Sequence, residues 1–473
     1  MTLFAPGDPR PVHFVGIGGA GMSGLAALAR HLGVTITGCD TDPSGAADLA
    51  GAGVQIWRGH DPGHVEEARA VVVTAAVPWA HAELERARAR GIPVVRRADA
   101  LGEAVSGGTV VAIAGTHGKT TTTVMVTEVL TAAGRNPTGL AGGRVATWGG
   151  NARVGDRTLF VVEADEYDRA FLSLDPAVAV VGNVEADHLE CYGSLEALED
   201  AFVAFAQRAR RVIAGADDAG ASRVAARTGR SVWRVGFRAG ADVRIVRAEL
   251  SPGGSSATVR LPDGREVPVR LRVPGRHNLR NAAAALAVAV ELGADVERGA
   301  EALAEFGGVG RRFERVGEAG GVVVMDDYAH HPTEVAATLE AARQVFPGRR
   351  LVAVFQPHLY SRTAMHGTAL GQALAAADLV VVAPIYPARE QPLPGVTADL
   401  VARGAISAGA ATVAVRERAA LADEVMSLVG PGDVVFTLGA GDVTRIGPEL
   451  LRQLATRTDP VPNRPPGAGK AGE

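Results

Sequence analysis

A chain of 473 residues exceeds what one hydrophobic core organises, so two to four domains are expected, with three as the working number. A hydrophobic share of 47% with 21% charged residues excludes a disordered or fibrous chain, and a net charge of -4 with dispersed basic residues excludes a nucleic-acid-binding footprint. Cys39 and Cys191 are too few for a disulfide scaffold and lack zinc-ligand spacing, while no basic, apolar, cleavable segment precedes Gly16, so a reducing, cytoplasmic setting without export or membrane insertion is expected.

The first hundred residues alternate short β-branched runs with helical patterns, the signature of a parallel sheet wrapped by helices. Strands are expected at Val12–Val15, Val34–Gly38, Val71–Thr74 and Pro93–Val95, then a helix over Asp99–Val105 and a small-residue break at Ser106–Gly108. Between the first strand and its helix lies Gly16-Ile17-Gly18-Gly19-Ala20-Gly21-Met22-Ser23, followed by Asp40 after the second strand. That order resembles a dinucleotide fingerprint, although such a loop accepts any diphosphate.

A second α/β unit opens with the strand Thr109–Ala114 and continues with strands at Leu159–Val162 and Val178–Val181. Its first strand runs into Gly115-Thr116-His117-Gly118-Lys119-Thr120-Thr121 at a helix start, which is phosphate-binding context. Loop and helix N–H groups can point at phosphate oxygens, Lys119 can reach the terminal phosphates, and the Thr120 hydroxyl can ligate magnesium. The loop is not a strict Walker motif, because Ile113 stands where that pattern demands glycine. Of the 48 basic residues only Lys119 and Lys470 are lysine, so a compact ammonium is kept where arginine's wide fork fits a phosphate poorly.

Acids at Glu163, Asp165 and Glu166 follow the next strand, the place of a magnesium-holding carboxylate in nucleotide-binding sheets, with Glu163 preferred. His188, after the third strand, is a candidate second metal ligand. From Ser231 to Val273 the alternation around a Pro262–Gly264 turn predicts an antiparallel hairpin packed on the main sheet. The helix Asn278–Leu292 carries Asn278 and Asn281 on one face at its start, beside His277; they are either caps or nucleotide contacts.

A third alternating unit has strands at Val322–Met325, Leu351–Phe355, Leu379–Ala383, Ala411–Val415 and Val434–Leu438. Tyr328, His330 and His331 follow its first strand; the histidine pair lacks a third ligand at metal spacing. Arg362 follows the second strand and can hold a substrate carboxylate through two parallel hydrogen bonds. The whole is read as α/β with three domains: Rossmann-like at 1–106, a phosphate-loop ATPase sheet with a small antiparallel subsheet at 107–312, Rossmann-like again at 313–456, and a disordered tail at 457–473.

Taken in this order, the segments resemble the Mur ligase family over Val12–Gly447, and the opening glycine loop, Asp326–Pro332 and Phe355–Arg362 are similar to its L-alanine-adding branch. The resemblance implies ATP-dependent ligation of L-alanine to the carboxylate of UDP-N-acetylmuramate in peptidoglycan precursor synthesis. It implies that Gly16–Ser23 and His60 hold the UDP-sugar, and that Gly115–Thr121 with His277, Asn278 and Asn281 hold ATP. Thr120, Glu163 and His188 would hold Mg2+, with Mn2+ as an alternative, and Lys119, Glu163 and His188 would be catalytic. Tyr328, His330 and Arg362 would face L-alanine.

Ala329 stands where glycine is common in the family, and Leu359 where some members carry arginine near the amino acid. The region following His188 in the second unit has no lysine that could be carbamylated, as in the L-alanine-adding branch. Three other readings stay open: a recycling ligase that adds a tripeptide to the same sugar nucleotide, a nicotinamide-dependent oxidoreductase, and an ATP-dependent switch. Neither nucleic acid nor membrane is expected as a partner, and nothing in the sequence fixes an oligomeric state.

Overall fold

A computed structural model describes residues 2–388, 390–415 and 417–456; the tail expected at 457–473 lies outside the described residues. The chain forms a three-domain α/β fold on three sheets, in the order of the three sequence units. The first sheet and nearly all of the second belong to one compact unit, and the third sheet to another that also takes Leu250–Ser255 and Val273–Gly275; the main change falls at Gly310 to Arg311.

The first sheet has five parallel strands in the order Gln55–Arg58, Ile36–Asp40, Val12–Val15, Ala70–Val73, Val94–Arg96. Val12–Val15 and Ala70–Val73 are buried along their whole length, as expected of parallel strands covered on both faces. Strand order reverses between these two, which puts the crevice beyond their carboxyl ends, beside the Gly16 loop. The edge strand Gln55–Arg58 was not anticipated, because its half-exposed alternation is too short to stand out.

In the second sheet of ten strands, Thr109–Ala114 lies between Val178–Val181 and Leu159–Glu163, parallel to both. Three loops therefore leave adjacent strands at one edge: 115–118, 164–166 and 182–188. Strands at Thr138–Val145, Gly150–Arg153 and Arg211–Gly215 were missed. The first of them is rich in glycine and reads as a loop; it is glycine at 142 for a steric reason given below. The 231–273 passage holds four strands rather than one hairpin: Ser231–Gly236, Val243–Ser251, Gly254–Arg260 and Glu266–Leu271. They extend the main sheet in sequence, starting with a parallel pair, Val235 opposite Val243. Period-two alternation reports one buried face and is silent on whether the strands join the sheet or pack on it. The turn falls as expected at Pro262–Gly264, with Gly264 at φ 87°.

The third sheet has six strands, with Val434–Leu438 between Val322–Asp327 and Leu351–Phe355. Its edge strand Glu314–Ala319 runs antiparallel to Val322–Asp327 and was also missed; it is half exposed, with no fully buried residue to mark it. Among the described residues, no helix is long and apolar enough to cross a membrane.

Candidate active site

Gly115 and Gly118 adopt φ of 139° and 77°, which only glycine takes without strain. Gly118 caps the helix Lys119–Ala132, so the loop delivers its N–H groups to the positive end of a long helix. Asn183, from the neighbouring strand's loop, clamps the turn: its Oδ1 accepts from the His117 N–H at 2.7 Å, and its Nδ2 donates to the His117 carbonyl at 3.1 Å. Thr116 and His117 are further tied to Glu185, the Glu185 N–H donating to Thr116 Oγ1 at 2.9 Å and the His117 ring meeting the Glu185 carboxylate at 3.2 Å. Asn281 reaches this loop, its Oδ1 3.1 Å from where a Cβ on Gly118 would lie, and its amide nitrogen donates to Asn278 Oδ1 at 3.4 Å.

Lys119 Nζ donates to the carbonyls of Gly115 at 2.8 Å and Thr116 at 3.3 Å, and to Glu166 Oε1 at 2.7 Å. Burial works against its charge, but Glu166, Asp165 and Glu163 outweigh it and hold the ammonium above its ordinary value. Burial lifts Glu163 above the usual carboxylate range, against the Gly142 N–H, Lys119 and a hydrogen bond with the Thr120 side chain. A Cβ on Gly142 would lie 2.4 Å from Glu163 Oε1, so the missed strand must carry glycine there to admit the carboxylate.

Thr120 and Glu163 thus converge beside Lys119 and offer hard oxygen donors, a set that fits a small divalent cation. His188 stands at φ 54°, its ring edge-on to Tyr167 at 5.2 Å, and its charge acts on Glu166. Asp168 and Arg169 share this left-handed backbone, so three non-glycine residues carry strain around the acidic loop. Tyr192 donates its hydroxyl hydrogen to the Glu166 carbonyl while Arg169 stacks over its ring at 4.9 Å, which holds the strained segment.

In the first domain, Gly16 has φ 82°, and the Gly18 N–H donates to Asp40 Oδ2 at 2.9 Å. The side chains of Ile17, Met22 and Ser23 are buried and the Gly19 N–H donates to the Gly16 carbonyl at 3.2 Å, so this loop offers a ligand mainly the backbone N–H groups of Ala20 and Gly21 at the start of the helix Ala20–His31. Asn151, from the second sheet, donates to the Ala20 carbonyl at 3.0 Å and to Ser23 Oγ at 2.9 Å. Arg97, which the sequence reading passed over, lies against Gly21, with Nη1 2.9 Å from a Cβ placed there, and pairs with Asp165 at 3.7 Å. It brings a guanidinium to the glycine loop and links it to the acids around Lys119. His60 Nδ1 lies 3.2 Å from Glu83 Oε2 and 3.3 Å from Cys39 Sγ, the residue whose carbonyl accepts from the Gly16 and Ile17 N–H groups.

The third domain groups Tyr328, His330, His358 and Arg362. His330 Nδ1 meets the Tyr328 carbonyl at 2.9 Å, the His330 and His358 rings are 6.4 Å apart, and Arg362 Nη1 meets His358 Nδ1 at 3.2 Å. Ala329 is fully buried outside the left-handed region, so alanine in place of glycine carries no strain there. Leu359 has φ 68° and is 3% exposed, so it presents little surface to an amino acid.

Beneath this group, Asp327 accepts from the N–H groups of Phe313 and Ala329, both at 2.8 Å, yet burial pushes it up to about 6. An acid whose folded value lies above its unfolded one holds its proton more tightly when folded, so stability is lost as pH rises between the two. Relative to Asp327→Asn, the unfolding free energy of the native chain is expected to fall by on the order of 2–3 kcal/mol from about pH 4 to about pH 6. Urea titrations of both proteins check this, and parallel pH profiles would count against it.

A glycine phosphate loop with an internal lysine, acids on the next strand, and two flanking α/β domains define a nucleotide-binding enzyme of the phosphate-loop class. Residues 11–109, 113–289 and 311–441 match, in that order, the Mur ligase family catalytic domain, the Mur ligase middle domain and the Mur ligase glutamate ligase domain. The chain belongs to the Mur ligase family. It is 45% identical to the UDP-N-acetylmuramate--L-alanine ligase of Thermobifida fusca, over 96% of this chain and 100% of that one. The crystal structure of the UDP-N-acetylmuramate-alanine ligase of Thermotoga maritima superposes with a TM-score of 0.80 at 30% identity, covering 94% of this chain and 98% of that one. A murein peptide ligase from Psychrobacter arcticus gives 0.73 at 27% identity, covering 95% and 100%.

Proposed function

We propose that this chain ligates L-alanine to the carboxylate of UDP-N-acetylmuramate with ATP, in the cytoplasm, as a step of peptidoglycan precursor synthesis. The observation that carries the reading is the convergence of Lys119, Thr120 and Glu163 at one strand edge, in a chain alike over nearly its whole length to proteins bearing that name.

Domain 1–106 takes the UDP-sugar at Gly16–Ser23 and His60, domain 107–312 takes ATP at Gly115–Thr121 with His277, Asn278 and Asn281, and domain 313–456 takes L-alanine at Tyr328, His330 and Arg362. Thr120, Glu163 and His188 would hold Mg2+, which supplies charge neutralisation at the phosphates; the imidazole is the ligand that keeps Mn2+ as an alternative.

A carboxylate acylates poorly because its leaving group is oxide. Transfer of the terminal phosphoryl group to a carboxylate oxygen releases ADP and gives an acyl phosphate. The alanine amine then attacks the carbonyl, loses a proton and expels phosphate. Lys119 stabilises charge on the transferring group, and the Asn183 clamp holds the loop that positions it.

Phosphate release measured with ATP, UDP-N-acetylmuramate and L-alanine, omitting each in turn, tests the reading. Release is expected only with all three, and release that needs neither sugar nucleotide nor amino acid would point instead to an ATP-dependent switch. The likeness to a murein peptide ligase favours a second reading, addition of a tripeptide; turnover with tripeptide but not with free L-alanine would establish it.

A further inference from the structure

We propose that His13, Cys39, His64 and Glu83 form a four-coordinate site for a divalent cation of the zinc class, inside the first domain and separate from the ATP-binding residues. Their ligand atoms all lie within 4.8 Å of one another. His13 Nε2 is 3.4 Å from Cys39 Sγ, Cys39 Sγ is 3.2 Å from each Glu83 oxygen, and His64 Nδ1 is 2.8 Å from Glu83 Oε1. A tetrahedral ion with bonds of about 2.0–2.3 Å spaces its ligand atoms about 3.3–3.8 Å apart. The distances about Cys39 come close to that spacing, and the pair of His64 and Glu83 needs to open by a few tenths of an ångström.

The residues come from four elements on one face of the first sheet: the strands Val12–Val15 and Ile36–Asp40, the turn Pro62–Val65 and the first turn of the helix Ala82–Ala89. His13, Cys39 and Glu83 are wholly buried. Glu83 is a buried carboxylate whose ion-pair partners among the described residues are His60, His64 and His81, with no lysine or arginine. Burying such a group is costly without positive charge, which the Asp61 N–H donating to Oε1 at 3.1 Å does not supply, and the single Cys39 thiol proton cannot serve both Glu83 oxygens, each 3.2 Å away, at once. A divalent cation resolves both deficits, binding thiolate, carboxylate and neutral imidazoles.

An outer contact supports this. His13 Nδ1 lies 2.9 Å from Thr37 Oγ1, and donation there leaves the Nε2 lone pair facing Cys39. Metal-bound histidines usually have their other nitrogen fixed in this way. With four protein ligands and no open position, the site is structural, tying the turn Pro62–Val65 and the nearby His60 to the sheet.

The test uses the full chain, stripped with chelator and dialysed against zinc alone, with metal per chain measured by elemental analysis and the ligand set read from the cobalt-substituted spectrum. One zinc per chain and a thiolate-to-cobalt charge-transfer band are expected. The band should persist in Cys191→Ser and vanish in Cys39→Ser. Thr37→Val keeps all four ligands and should weaken zinc binding about 10–100-fold. If Cys39→Ser fails to fold, His64→Gln and Thr37→Val decide by the same loss of affinity. A folded native chain that retains no zinc, or a band that survives Cys39→Ser or is carried by Cys191, overturns the proposal.

Discussion

Replacing Lys119 with alanine is expected to lower kcat about 10²–10³-fold, the loss that follows removal of one preorganised donor to transition-state charge, about 2.7–4 kcal/mol. The same change strands Glu166, 1% exposed, whose Oε1 accepts from Lys119 and whose Oε2 has no hydrogen-bond partner among the described residues. Leaving a buried carboxylate without its cation costs about 3–5 kcal/mol unless it takes up a proton. The two effects separate in the double variant Lys119→Ala with Glu166→Gln, which should recover stability and not rate. Phosphate-release kinetics and thermal unfolding of both proteins check this. A double variant that regains near-native turnover would show that Lys119 acts only through the fold.

Arg362→Lys should raise KM for L-alanine about 10²-fold and leave KM for ATP near its native value. Arg362 is 7% exposed, with its guanidinium against His358. Lysine retains the charge but not the planar fork that grips a carboxylate with two parallel bonds. Loss of one hydrogen bond to a charged group costs about 1.5–3 kcal/mol, which sets the size of the shift. Should KM for alanine stay unchanged while the melting temperature drops, Arg362 merely supports His358.

The Lys119 loop was legible in sequence because its chemistry is contiguous: an apolar strand, glycines that permit positive φ, then lysine and threonine at a helix start. Glu163 was legible for the same reason, as an acid at the end of a buried strand. The groups that shape the loop were not. Asn183 lies 66 residues from His117 in sequence, and only the parallel pairing of adjacent strands brings the two together. Arg97 was hidden by abundance, being one arginine among many. Glu166 was visible as part of an acidic run, but the run alone does not say which acid meets the lysine. Cys39 was dismissed on spacing, a test that sees metal ligands only when they are near in sequence; His13, Cys39, His64 and Glu83 meet through tertiary packing. Of the fold, most buried strands were read to within two residues, but Arg211–Gly215, buried in the interior of the second sheet, was missed, and the other missed ones are mostly edges or glycine-rich segments whose pattern packing alone decides.

Gly102 packs so closely on the second domain that a Cβ there would lie 2.3 Å from the Ser173 carbonyl oxygen, and Ser173 also donates its hydroxyl hydrogen to Asp99 Oδ1 at 3.0 Å. Even a methyl group at this seam would act as a wedge. Together with Asn151 gripping Ser23, this bolts the glycine turn of one sheet at a set span from the phosphate turn of the other, like two jaws of a fixed gauge. Drift at position 102 would therefore be felt as a change of calibration between the two turns, before any residue of either turn had altered.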